Sequence, residues 1–233
     1  DLNENGSPTD QGEDKPTPVV IDGPVMAIAK EALSITPVVG TTDQYDVAYR
    51  LHVKNLSTSQ TAFNVQVTDD LVATFPSPIL SQVRSISSAA LAENTAFTGR
   101  GSQMQLLLGT DSMAPSATAT IDFVVRITLN GSQQQAFDNS AVVTAAAVEG
   151  GRISTSDISN VGNETRIDPN GNGIPTEEGE NIPTRVTLAG GPDLQMVKTA
   201  TGDFTVGTTG RFTLTVRNTG VTATSGEIVV SDP

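Results

Sequence analysis

The chain has 233 residues, with 26 acidic and 13 basic side chains, a single histidine, and neither cysteine nor tryptophan. A net charge of −13 disfavours nucleic acid as a partner, and the absence of cysteine excludes disulfides and thiol catalysis. The lone His52 makes most histidine-based catalysis or zinc binding implausible, and no apolar run is long enough to span a membrane. Charged residues make up 17% of the chain, below the ~25% of ordinary domains, which favours an extracellular all-β protein.

Alternation of apolar and polar residues is the main secondary-structure signal along the chain. It is clearest at 45–53, where every second residue is apolar. Similar patterns predict strands at 25–33, 63–67, 79–87, 103–108, 121–129, 140–148, 151–158 and 212–216, whereas only 87–94 indicates a helix. Roughly seven to nine short strands in about 140 residues predict an all-β fold, an antiparallel immunoglobulin-like β-sandwich.

The sequence also repeats itself. Segment 1–19 recurs at 168–186, segment 51–55 at 214–218, and segment 67–69 at 230–232. These matches predict four parts, namely an acidic linker at 1–22, a complete sandwich at 23–165, a second acidic linker at 166–190, and the first strands of another sandwich at 191–233. We therefore expect the chain to be a segment of a longer tandem array.

Several motifs resemble the conserved-repeat, immunoglobulin-like domains of large bacterial surface proteins, the family known as domain of unknown function eleven. The resemblance rests on 192–198, 212–220 and 228–233, and on 157–165, which is similar to the close of such a repeat. It implies extracellular tandem arrays, roles in adhesion or surface filaments, and no enzymatic activity.

The second linker contains a candidate calcium loop. Its first half places oxygen ligands at alternate positions, with Gly173 permitting a tight turn, as in the opening of an EF-hand loop. The closing carboxylate must be one of two glutamates, because Gly179 occupies the usual position. The predicted ligands are Asp168, Asn170, Asn172, the carbonyl of Ile174, and Glu177 or Glu180.

The first linker offers a matching set of oxygen ligands. They are Asp1, Asn3, Asn5, the carbonyl of Ser7, and Asp10 or Glu13. Two copies with acidic residues at matching places favour Ca²⁺ as a cofactor that stiffens the connections between modules. The alternative is a solvated acidic linker, rich in glycine and proline, that binds nothing.

A covalent crosslink is the second candidate site. Each copy has a lysine on its first strand, an asparagine at the end of the next, and an aspartate 14 residues later: Lys30, Asn55 and Asp69, then Lys198, Asn218 and Asp232. A buried, neutral lysine can attack an asparagine carboxamide beside a protonated acid to form an isopeptide bond. The alternative places the lysine at the surface, the asparagine in a turn, and the aspartate at the start of a loop.

These features predict a structural repeat of a secreted bacterial surface filament, stalk or matrix protein. Its partners would be neighbouring repeats or subunits of the same protein, joined in some cases by strand complementation. The alternative is an adhesin that binds a carbohydrate or protein through the loops 71–79 and 88–102, although these loops contain only Phe75 and Phe97 as aromatic residues. No acid–base constellation indicates an enzyme.

Overall fold

The computed structural model describes residues 23–188, 194–202, 205–219, 224 and 226–232. Its strands are β1 (Met26–Pro37), β2 (Gln44–Asn55), β3 (Phe63–Asp69), β4 (Leu80–Ser87), β5 (Thr118–Thr128), β6 (Ala136–Asn139), β7 (Ala141–Ala146), β8 (Ile153–Ile158), β9 (Asn160–Val161), β10 (Thr184–Thr187), β11 (Leu194–Thr201) and β12 (Arg211–Asn218). Helix is limited to one turn, α1 (Leu71–Thr74), and a 3-10 turn, Glu164–Arg166. The predicted all-β class is therefore confirmed.

Strands β1 to β10 form two facing layers. One layer is a five-stranded sheet in the order β4-β5-β2-β1-β9, antiparallel except for the short β1–β9 pair. The other contains β3-β7-β8 and the pair β6–β10, and only Ser140 separates β6 from β7. Strand β1 contacts β7, β8 and β10 of the opposite layer. This arrangement is a β-sandwich whose core lies between the two layers.

The alternating pattern of the sequence determines which side chains enter this core. On β2, the residues predicted to face inward are buried, and those on β5 behave in the same way: Tyr45, Val47, Tyr49, Leu51 and Val53, then Ile121, Phe123, Val125 and Ile127. The outer face carries ion pairs between adjacent strands. Arg50 Nε lies 2.7 Å from Asp122, and Arg126 Nη2 lies 2.8 Å from Asp46.

Two local predictions are wrong. Segment 87–94 forms no helix, and the one α-helical turn is α1, where the Asp70 carboxylate accepts hydrogen bonds from the first turn. Segment 103–108 makes only isolated bridges, including Thr68 to Gln105. Its backbone is held partly by a side chain, because the Gln66 amide donates to the Leu107 carbonyl at 2.8 Å and accepts from its N–H at 3.1 Å.

The predicted boundary at residue 165 is also corrected. Strand β10 pairs with β6, and Ile167, Val186 and Leu188 are buried against the sandwich. Most of the predicted linker 166–190 therefore belongs to the module, which extends at least to residue 188. The composition of the segment is typical of a linker, but Thr184 and Val186 face inward from β10 and Leu188 continues the alternation just after the strand. The linker predicted at 1–22 lies outside the described residues.

Strands β11 and β12 form a separate two-stranded hairpin that repeats the pairing of β1 and β2. Lys198 lies opposite Leu214 as Lys30 lies opposite Leu51, and Leu194 lies opposite Asn218 as Met26 lies opposite Asn55. The recurring sequence motifs thus occupy the same register positions in both hairpins. Within the described part of the chain, no helix is long and apolar enough to cross a lipid bilayer.

Candidate functional site

A fully buried lysine lies at the centre of the sandwich. Lys30 on β1 follows Met26 and Ile28 on the inward face, and it is as inaccessible to solvent as they are. Its amine contacts Oδ2 of Asp69, the last residue of β3, which is also buried. The surface position allowed as an alternative for this lysine is excluded, and the predicted pairing of Lys30 with Asp69 is present.

Aromatic rings enclose the amine. Lys30 Nζ lies 4.6 Å from the centroid of the Tyr49 ring and 5.4 Å from that of Phe123, and the two rings stack at 5.1 Å. The rings exclude water from the ion pair and attract the amine whenever it is protonated. The site is therefore an enclosed pocket with apolar, aromatic walls that contains the ionisable groups of Lys30 and Asp69.

Asn139, at the end of β6, is the carboxamide that the fold brings to this pocket. The side chain is fully buried, and its Nδ2 lies 3.5 Å from the same Asp69 oxygen that contacts Lys30. On the other side of the carboxamide, Thr74 Oγ1 lies 3.0 Å from Oδ1. The same hydroxyl is 3.1 Å from the carbonyl of Asp70, so it donates to one of the two acceptors at a time.

The prediction of Asn55 as the partner of Lys30 is corrected. Asn55 lies opposite Met26, four residues along the strand from Lys30. Its amide donates to the backbone carbonyls of Gln60 at 2.8 Å and of Met113 at 3.1 Å, so it holds a turn closed. Sequence reasoning missed Asn139, although it alternates with the buried Phe137 and Ala141, which is the pattern of an inward-facing position.

Burial dominates the protonation of the enclosed pair. It lowers the pKa of Lys30 and raises the pKa of Asp69, while the attraction between the two groups opposes both changes. Both changes move the pair towards a neutral amine and a protonated carboxylic acid. Among the described residues, Asp69 Oδ1 has no hydrogen-bond partner. Burial raises the pKa of Tyr49, and the interaction of its hydroxyl with Asn139 opposes this change.

The second hairpin contains the same local arrangement in an open form. Lys198 Nζ lies 2.6 Å from Asp232 Oδ1 and 4.5 Å from the centroid of the Phe212 ring. The two charged side chains are 38% and 43% exposed. Asn218 lies opposite Leu194, four residues from Lys198, so it repeats the position of Asn55. The prediction of Asn218 as the partner of Lys198 is therefore corrected in the same way.

Hydrogen bonds with side chains within the predicted calcium loop hold its backbone in a tight turn. Asp168 accepts hydrogen bonds from the backbone of Gly171 at 3.0 Å and of Gly173 at 2.9 Å, and both glycines have the positive φ that this turn requires. Asn170 and Asn172 donate through Nδ2 to Glu177 Oε2, each at 2.8 Å. The residues predicted as ligands are thus gathered in one compact loop.

Glu180 is the exception among these acidic residues, because it is buried. It is 5% exposed, and among the described residues its Oε2 has no hydrogen-bond partner. Burial raises the pKa of Glu180, with further contributions from Asp168 and Glu177. A cation bound here would satisfy the unpaired oxygen and reduce the repulsion among these carboxylates.

The described part of the chain contains no group of three or more His, Cys, Asp or Glu side chains positioned to hold a metal ion. A loop of this type also uses asparagine and carbonyl oxygens, here from Asn170, Asn172 and Ile174. Calcium therefore stays a prediction. The matching ligands in the first linker, namely Asp1, Asn3, Asn5, Ser7, Asp10 and Glu13, lie outside the described residues.

Comparisons with known proteins add little. No family model and no curated protein matches the chain. Among solved structures, the full-length pilus protein RrgB from Streptococcus pneumoniae is similar at 14% identity and a TM-score of 0.27. The alignment covers 56% of this chain and 24% of RrgB. A similarity this low supports no inference, so the fold assignment rests on the strand order and the core described above.

Proposed function

We propose that this chain is a structural tandem-repeat segment of a secreted bacterial surface filament, stalk or matrix protein. One observation carries the proposal, namely that a lysine, an aromatic ring and an aspartate contact one another at matching positions of the two sequence repeats. A repeated folding unit adds length in proportion to its copy number, which is what a fibre or stalk requires. The motifs that resemble the conserved-repeat domain family support the same proposal.

The buried charges favour a structural role over a catalytic one. Lys30, Asp69 and Asn139 are enclosed, so a diffusing substrate cannot reach them. The adhesin alternative lacks an aromatic binding platform, because Phe75 and Phe97 are both buried in the core. The two aromatic residues in the loops considered for ligand binding therefore stabilise the sandwich.

In this proposal, calcium stiffens a part of the module instead of a free hinge. The acidic loop leads directly into β10, and Asn160 Nδ2 holds the start of the loop by donating to the Arg166 carbonyl at 3.0 Å. A cation held by the predicted oxygen ligands, with either Glu177 or Glu180 as the closing carboxylate, would lock the segment that precedes the last strand of the sandwich. Weak binding would suffice, since extracellular modules saturate with dissociation constants of about 10⁻⁴–10⁻³ M.

The proposed partners are strands of the same repeat type, from the same chain or from a neighbouring subunit. On β12, Phe212, Leu214 and Val216 occupy one face and are 52%, 38% and 37% exposed. A lone two-stranded hairpin is marginally stable in water, and an apolar face of this kind gains stability by packing against a second sheet. Association through this face would connect one module to the next.

Electron microscopy of the native material tests the proposed function. Antibodies against this chain, carrying gold particles, should decorate fibres or a surface layer outside the cell at a regular axial spacing. Labelling confined to the cell interior, or to isolated monomers, would contradict the proposal. A glycan array probed with the same chain tests the adhesin alternative, and we expect no specific binding there.

A further inference from the structure

We propose that Lys30 and Asn139 become joined by an amide bond between Lys30 Nζ and Asn139 Cγ, with Asp69 carrying the proton. The bond would form inside the folded core, without any added enzyme. This inference concerns the chemistry of one module and does not depend on the module belonging to a filament.

The geometry around Asp69 carries the proposal. Its Oδ2 contacts the lysine amine and also lies 3.5 Å from the carboxamide nitrogen of Asn139. One carboxyl oxygen therefore lies between the group that attacks and the group that leaves. Thr74 Oγ1, at 3.0 Å from Asn139 Oδ1, is placed to stabilise negative charge that develops on this oxygen during the attack.

The reaction balances without a cofactor or an oxidant. The lone pair of the neutral amine attacks Asn139 Cγ, and a C–N bond forms. Asp69 accepts a proton from the attacking nitrogen and donates a proton to the carboxamide nitrogen, so that the C–N bond to this nitrogen breaks and ammonia leaves. Asp69 ends in its starting protonation state. The products are one secondary amide and one molecule of ammonia.

The environment meets the two requirements of this chemistry. The amine must be neutral to attack and the acid must hold a proton, and burial shifts both groups in these directions. The Tyr49 and Phe123 rings cover the amine, which limits the access of water that would otherwise hydrolyse the carboxamide. The fold also holds the reacting groups together at high effective concentration.

The amide would connect the two layers of the sandwich. Lys30 belongs to β1 in the five-stranded sheet, whereas Asn139 belongs to β6 in the opposite layer and lies two residues before Ala141, the partner of Asp69. The bond would close a loop from residue 30 to residue 139 in a chain that has no cysteine for a disulfide. By analogy with disulfides, such a long loop constrains the unfolded chain strongly.

Mass spectrometry of the denatured full chain tests the proposal in the unmodified protein. We expect an intact mass lower than the sequence mass by one molecule of ammonia. Amine-reactive labelling under denaturing conditions should modify Lys15, Lys54 and Lys198 but leave Lys30 unmodified. A chain of full mass, or a labelled Lys30, would overturn the proposal.

Three variants assign the bond to its residues. Asn139→Ala should restore the mass expected from its own sequence and lower the melting temperature by roughly 10–20 °C. The control Asn130→Gly removes one of the four Asn-Gly pairs of the chain, where succinimide formation also releases ammonia. The control Asn55→Ala removes the asparagine predicted from the sequence as the partner of Lys30. Both controls should retain the mass deficit. A deficit that persists in Asn139→Ala, or disappears in either control, would overturn the assignment.

Discussion

The two hairpins of this chain have the same register but different surroundings, and the difference shows what a repeated motif can and cannot determine. Tyr49, Leu51 and Val53 on β2 are fully buried, whereas their counterparts Phe212, Leu214 and Val216 on β12 are substantially exposed. The lysine of each hairpin contacts an aspartate that follows the hairpin in the chain by the same spacing, Asp69 in the first copy and Asp232 in the second. Only the pair covered by a second sheet is shielded from water.

The largest expected effect follows from removing the buried lysine. Lys30→Met should lower the free energy of unfolding by about 3–5 kcal/mol or more, because Asp69 would be left buried without its partner and the proposed amide bond could not form. The matched variant Lys198→Met should cost about 0–1 kcal/mol, since its aspartate stays hydrated. Urea denaturation of both variants measures the contrast. Equal losses would mean that the two pairs do not differ in environment as described.

Calcium should increase the difference in stability between the sandwich and the second hairpin, because the acidic loop is tied to the sandwich through Asn160. At a free calcium concentration about ten times the dissociation constant, binding should stabilise the sandwich by about 1–2 kcal/mol. Scanning calorimetry in calcium and in chelator measures the shift of the melting temperature. Glu180→Gln should abolish the shift, whereas the exposed Glu178→Gln should keep it. No shift at millimolar calcium would remove the calcium site from the account.

The stability of the sandwich should also depend on pH through Asp157 on β8. Burial is the main cause that raises the pKa of Asp157 from 3.8 to about 7, although its Oδ2 accepts a hydrogen bond from Ile28 N at 2.9 Å. A raised carboxyl pKa means that the folded state binds the proton more tightly than the unfolded state. This contribution to stability is therefore complete below about pH 4 and is lost as the pH rises through about 7.

The variant Asp157→Asn isolates this effect. In chelator, the free energy of unfolding of the unmodified chain should fall more steeply between about pH 4 and 7 than that of the variant. Urea titrations at several pH values measure the two slopes. Identical slopes would show that Asp157 does not titrate with a raised pKa in the folded chain.

The smallest expected effect comes from the exposed pair. Asp232→Asn should reduce stability by about 0–1 kcal/mol, and added salt should diminish the difference, because exposed ion pairs are screened. Denaturation at low and high ionic strength measures it. A loss of several kcal/mol, insensitive to salt, would indicate that the second hairpin is covered in solution and would break the comparison.

The strands with strong alternation could be predicted from the sequence, because each side of such a strand meets a different medium. The inward faces of β2 and β5 and the strand at Phe212–Val216 are examples. Strands β6 and β10 were not predicted, since four residues provide too little periodicity and β10 lies in a segment with the composition of a linker. Their pairing depends on contacts between residues 45 to 51 positions apart, which local patterns do not encode.

The candidate site shows a similar division. The pairing of Lys30 with Asp69 could be inferred from a recurring spacing, because this spacing is local to three adjacent strands in the chain. The carboxamide could not be assigned in this way. Asn139 lies in the layer opposite Lys30, and it follows Asp69 by 70 positions in the chain. The burial of Glu180 was also missed, because it depends on how the acidic loop folds against the sandwich.

A tryptic peptide map of the unmodified chain, analysed by tandem mass spectrometry, tests the central claim most directly. If Lys30 and Asn139 are joined, trypsin will not cleave after Lys30, and the peptide that contains it will be branched to the peptide 127–152. Fragment ions should locate the branch at these two residues. Recovery of an unbranched 127–152 peptide with a cleaved Lys30 would contradict the account.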